Sequence, residues 1–85
     1  MANYKELVEF IAKHLVMNPD SVIVECNEEE HGETKVMIRV AHDDIGRIIG
    51  KRGATINAIR LIAKASAVKV GEKVNVDIFE DEDKE

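Results

Sequence analysis

The segment from Ile45 to Arg60 reads Ile-Gly-Arg-Ile-Ile-Gly-Lys-Arg-Gly-Ala-Thr-Ile-Asn-Ala-Ile-Arg, and it holds the residue types that can meet a polyanion. Gly50 and Gly53 stand three apart with two cations, Lys51 and Arg52, between them. Glycines there permit positive φ and leave no side chain above the peptide plane, so a phosphate can approach the amides closely. Lys51 and Arg52 would meet phosphate oxygens, while a helix starting near Ala54 adds its dipole. Five glycines in 85 residues produce such a spacing by chance, so the alternative is a plain helix-connecting turn with solvated charges.

The distribution of charge sharpens the first reading. A formal net charge of -5 argues against nucleic acid only as an average. Residues 1–44 hold four basic and ten acidic side chains, net -6; residues 45–73 hold seven basic and one acidic, net +6. Residues 74–85 hold one basic and six acidic, net -5, so one segment carries a cationic surface between two acidic ones. The run Glu28 to Glu30 and the tail Glu80 to Glu85 read as solvated charge; the sharper reading of their sign is that they repel a polyanion from the wrong faces.

Other chemistries find no constellation. His14, His31 and His42 lie 17 and 11 residues apart, which matches no metal-ligand spacing, and no metal or cofactor is expected. Cys26 alternates with Val22 and Val24 on a core-facing strand edge, where a free cysteine acts as a small hydrophobe. It has no nucleophile's partner in sight, so the chain does not read as an enzyme.

The elements that must position the loop follow from periodicity. Leu7, Phe10, Ile11, His14 and Leu15 share one face of a helix expected over residues 3–17, ended by Asn18, Pro19 and Asp20. Strands are expected over Ser21–Asn27 and Lys35–Ala41, joined by a hairpin-like turn at Glu28–Gly32. Asp43 or Asp44 would cap a short helix through Ile49, and a longer helix would run from Ala54 to Ala67 or Val68. Val74, Val76 and Ile78 mark a third strand. The result is an α+β fold in the order α-β-β-α-α-β, a three-stranded sheet with helices packed on one face. One domain over residues 1–79 with a disordered acidic tail, 80–85, accounts for the length. No apolar stretch suits a membrane span and the first residues lack a signal-peptide layout, so a cytoplasmic location is expected.

The long helix carries more apolar surface than one sheet can cover. Ile56, Ile59 and Ala63 mark one side; Ala58, Leu61, Ile62 and Ala65 extend it, leaving Asn57, Arg60 and Lys64 as a narrow polar stripe. Either this helix is wholly buried, or a subunit or flat ligand covers its second face.

The stretch Ile48 to Ile59 resembles the signature of the KH domain, a module for single-stranded nucleic acid whose Gly-x-x-Gly loop clamps about four backbone nucleotides. The element order is similar to the type II arrangement of that fold, and length and loop look most like the small stand-alone bacterial KhpA family. The resemblance implies a non-catalytic, cytoplasmic single-stranded RNA-binding protein and RNA chaperone, without cofactor. It also implies a homodimer, or a heterodimer with a larger KhpB-type protein, with effects on cell-wall growth and cell shape. Carried over by position, it assigns Gly50 and Gly53 to close phosphate approach and Lys51 and Arg52 to the phosphates. Ile45, Ile48, Ile49 and Ile56 become groove or groove-supporting positions, with Arg47 and Arg60 near flanking phosphates and the strand Val36 to Val40 contributing to the floor. With Tyr4, Phe10 and Phe79 all outside the helix-loop-helix, base stacking is scarce and specificity should be low. A helix-turn-helix for duplex DNA and a protein-interaction subunit without RNA binding are the rival readings.

Overall fold

The computed structural model describes residues 3–29 and 32–79, without the side chain of Lys51; the expected acidic tail, 80–85, lies outside the described residues. The chain forms α1 (Tyr4–Leu15), β1 (Ile23–Glu28), β2 (Glu33–Arg39), α2 (Ile45–Ile49), α3 (Ala54–Lys69) and β3 (Lys73–Ile78). Short 3-10 turns occupy Pro19–Ser21, His42–Asp44 and Lys51–Gly53. The sheet order is β1-β2-β3, with β1 antiparallel to β2 and β2 parallel to β3. A parallel pair needs a crossover, and here the crossover is the helix-loop-helix itself. The type II KH order expected from the sequence is the order observed.

Alternation builds the core. Val24, Val36, Ile38, Val74, Val76 and Ile78 point to the helical face and meet Val8, Ala12, Ile48, Ile56, Ile59, Ala63 and Ala67. The opposite sheet face carries Glu25, Lys35, Arg39, Asn75 and Asp77, all exposed. There the Arg39 guanidinium lies 4.2 Å from the centre of the Phe79 ring. No helix among the described residues is long and apolar enough to cross a membrane.

Two expectations about the core are corrected. In α1 the buried residues are Tyr4, Val8 and Ala12, whereas Phe10 is 65% exposed and Leu15 44%. The helix carries two apolar stripes offset by one residue, and the smaller Val8 and Ala12 allow the closer approach to the sheet. Phe10 instead lies tilted against His14, at 4.4 Å between ring centres. Cys26 is exposed, beside a shallow cleft lined by Tyr4, Lys5, Thr34 and Glu72. It follows the alternation, but α1 begins too late to cover the far end of β1. Partial burial still pushes its thiol up, opposed by Lys5.

The two ends of the described chain are tied together through Tyr4. Its hydroxyl donates to Glu72, 68 residues away at the turn into β3. Burial first, and then the hydrogen bond to Glu72, hold its pKa up to about 12, so it stays a neutral donor.

Candidate nucleic-acid interface

The helix α2 has five residues and ends at Gly50, whose φ of 66° and ψ of -178° place it in a region that side chains exclude. The N–H of Gly50 donates to the carbonyl of Gly46 at 2.8 Å. Lys51 to Gly53 form one tight turn in which Arg52 (φ 58°) and Gly53 (φ 73°) are both left-handed. A Cβ on Gly50 would stand 2.8 Å from Thr55 Oγ1 and 3.1 Å from the Thr55 backbone nitrogen. The first glycine therefore lets the loop fold back onto the opening turn of α3. Gly53 supplies no side-chain cap to that helix, so the opening amides of α3 have no capping side chain from this position and lie beside an exposed Arg52. Positive helix end, bare peptide planes and cation converge on one loop.

The four isoleucines divide by depth. Ile48 (0% exposed) and Ile56 (5%) belong to the core and brace the loop from beneath. Ile45 and Ile49 are half-buried and supply the apolar surface beside it. Val36 and Ile38 are sealed under the helices and β2 is the central strand, with both edges paired. The expected floor over Val36 to Val40 is therefore corrected: the strand with an open edge beside α3 is β3.

The arginines also separate. Arg47 is exposed and its Nε lies 3.2 Å from Asp44 Oδ1. Arg60 turns to β3: Nε donates to the carbonyl of Val76 at 2.8 Å, one terminal nitrogen to Asn57 at 2.9 Å, and the other pairs with Asp77 at 3.3 Å. Its guanidinium is committed to the sheet edge, so Arg60 does not stand as a loop cation. Beside it a cleft lined by Glu33, Lys35, Lys64, Asn75 and Asp77 mixes both signs of charge.

Asp44 occupies the N-cap position of α2 but makes no capping bond, contrary to the expectation. Its carboxylate reaches back to the end of α1. Oδ1 accepts from the N–H of Met17 at 3.0 Å, and Oδ2 from the N–H and side-chain amide of Asn18 at 3.0 and 2.9 Å. α1 ends two residues earlier than the sequence suggests, and these bonds take up the amides past its end. The Met17 amide above all, then Asn18 and Arg47, holds the Asp44 carboxyl below the usual carboxylate range against the opposing effect of burial. A carboxyl lowered on folding adds stability that is full above its unfolded pKa of about 3.9 and is lost progressively as pH falls from there through the lowered value. At neutral pH the group is a fixed anion.

On α3, Leu61 (71%), Ile62 (45%) and Val68 (76%) are exposed, so the helix is not wholly buried and its second apolar face is open. Among the described residues, no three His, Cys, Asp or Glu side chains converge as a metal site. The helix-turn-helix alternative does not hold, since both helices belong to the crossover between parallel strands.

A sequence profile described as the KH domain of KhpA and KhpB matches residues 5–78. The chain is 47% identical over 76 residues to an RNA-binding protein KhpA of Caldanaerobacter subterraneus subsp. tengcongensis, covering 87% of this chain and 97% of that one. It is 45% identical over 77 residues to the RNA-binding protein KhpA of Clostridium perfringens, covering 88% and 99%. Among solved structures, Era of Aquifex aeolicus bound to GDP.AlF4- superposes with a TM-score of 0.69 at 25% identity, over 89% of this chain and 29% of Era. Era in complex with MgGDPNP and nucleotides 1506–1542 of 16S ribosomal RNA matches with the same TM-score at 26% identity, over 88% and 28%. The chain thus spans less than a third of the length of either Era chain.

Proposed function

The chain belongs to the KhpA/KhpB KH-domain family, and on that premise we propose that it binds single-stranded RNA at the glycine loop without catalysing a reaction on it. The observation that carries the reading is the loop itself: Gly50 and Gly53 at positive φ, an exposed Arg52 between them, and the opening amides of α3 behind. The names of the relatives, RNA-binding protein KhpA, support the same ligand. Phosphates meet Lys51, Arg52 and the amides, and about four unstacked nucleotides lie along Ile45 and Ile49. Recognition through backbone and aliphatic surface gives weak, salt-dependent binding with little base preference.

The test is binding of a fluorescent RNA of about ten nucleotides, as a single strand and as a duplex, across a salt series. The single strand is expected to bind at least about tenfold tighter than the duplex, with affinity falling steeply as salt rises. Equal binding of both forms, or none of either, would sink this reading and leave a protein-interaction subunit.

We further propose that the open face of α3 joins two chains, either as a homodimer or with a larger KhpB-type partner. Leu61 and Ile62 leave apolar surface open on α3 that a second chain could cover, and linking two weak sites raises apparent affinity through effective concentration. Ile62→Asp is expected to lower the mass in sedimentation from two chains to one; an unchanged mass would remove this face from the contact. RNA chaperoning in the cytoplasm, with consequences for cell-wall growth and cell shape, is proposed on family likeness alone.

A further inference from the structure

We infer that Asp44 is a positioning residue of the RNA interface, fixing the loop-bearing helix α2 against the end of α1 and aiming the Arg47 guanidinium at a phosphate. The inference rests on the RNA-binding reading above and names residues outside its glycine loop.

Asp44 is a carboxylate with 0% exposure, and burial of an ionised group is costly unless every lone pair finds a donor. Three donors are present, and they belong to Met17 and Asn18, 27 and 26 residues earlier in the chain. Arg47 Nε, one turn along α2, adds an ion-pair contact at 3.2 Å. A helix of five residues is far below the length that holds itself together in water, so tertiary contacts set where it lies. α2 has two such anchors. Ile48 fixes it into the core, and Asp44 fixes its first turn to a second element, which together define its direction. Gly50 begins immediately after this short helix, so the aim of α2 is the aim of the loop.

The contact to Arg47 uses Nε, and the side chain is 53% exposed. The two terminal nitrogens form the fork that grips phosphate in a bidentate contact. Asp44 therefore holds the arginine by its inner nitrogen and presents the outer edge of the guanidinium. A lysine has no planar fork with one edge for Asp44 and another for a bidentate phosphate contact, so an Arg-to-Lys change is not conservative here.

The test is binding of a fluorescent oligouridylate of about ten nucleotides to the full chain across a salt series, with circular dichroism confirming the fold. Arg47→Lys is expected to weaken binding about as much as Arg47→Ala, roughly tenfold, the size of one charge-assisted contact. Asp44→Asn, measured where it is folded, should weaken binding similarly in the wild-type background and much less in the Arg47→Ala background. Should Asp44→Asn fail to fold, the Arg47 pair decides, because neither change touches a buried atom of Asp44's other bonds. Arg47→Lys binding like wild type, Arg47→Ala having no effect, or a folded Asp44→Asn binding normally each overturns the inference. Wild type failing to bind, or a loop variant Lys51→Asp/Arg52→Asp binding like wild type, overturns the RNA reading and this inference with it. Loss in the loop variant with the Arg47 and Asp44 variants unchanged overturns this inference alone.

Discussion

Lys51→Asp/Arg52→Asp is expected to lose single-stranded RNA binding by about 100-fold or more at roughly 0.1 M salt while remaining folded. Two charge-assisted phosphate contacts contribute about 1.5 to 3 kcal/mol each, and every 1.4 kcal/mol is a factor of ten. The aspartates then add repulsion where attraction stood. The slope of log affinity against log salt should shrink by about 1.4, twice the value of about 0.7 for each phosphate contact on a single strand. Stability should move little, because Arg52 is exposed and left-handed, a conformation that aspartate tolerates better than most residues. Fluorescence anisotropy gives the affinity and slope, and a thermal melt by circular dichroism gives the control. A folded variant that binds like wild type would make the loop a structural turn, whatever the rest of the surface does.

The loop and the order of elements were legible because both are written locally. Period-two alternation in Val22–Val24, Val36–Val40 and Val74–Ile78, and glycines flanking two cations, need no knowledge of the rest of the chain. The parallel pairing of β2 with β3 needs a long crossover, which the helix-loop-helix supplies, but the direction itself is read only from the structure. What stayed hidden depended on distant partners. The face of α1 was ambiguous because Tyr4-Val8-Ala12 and Leu7-Ile11-Leu15 have the same spacing, and only the fit against the sheet separates them. Asp44 has the type and place of a helix cap, yet its donors are the amides at the end of α1, released where Pro19 stops that helix. Arg60 has the charge and spacing of a phosphate ligand, but the edge carbonyl of Val76 and the carboxylate of Asp77 reach it first. Cys26 keeps the alternation of a core residue, and how far α1 extends is what leaves it exposed. In each case the local pattern offered a role and a partner distant in the chain decided it.

The two glycines of the loop should differ sharply when each is replaced by alanine, although both have positive φ. Gly53 sits at φ 73°, ψ 17°, the ordinary left-handed well, which costs an alanine about 1 to 2 kcal/mol. Its added Cβ would meet nothing nearer than Asn57 Nδ2 at 3.5 Å, an ordinary contact. Gly50 sits at ψ -178°, a region essentially confined to glycine and costing about 1 to 3 kcal/mol. There the Cβ also collides with Thr55, and the two collisions are unequal. Oγ1, at 2.8 Å, can rotate away; the backbone nitrogen at 3.1 Å cannot move without shifting the first turn of α3. Overpacking of that kind costs a further 1 to 3 kcal/mol, so Gly50→Ala should destabilise by about 2 to 6 kcal/mol in all, with about 4 at the middle. For a domain of this size each kcal/mol lowers the melting temperature by about 4 to 8 °C. At the middle of these ranges, about 4 and about 1.5 kcal/mol, Gly50→Ala is expected to melt about 16 to 32 °C below wild type and Gly53→Ala about 6 to 12 °C below it. Thr55→Ala added to Gly50→Ala should recover only a minor part, because it removes the hydroxyl and leaves the backbone nitrogen and the φ, ψ strain in place. Equal melting of the two single variants would mean that Gly50 does not press on α3, and that the loop is held open by its own conformation rather than by contact with the helix behind it.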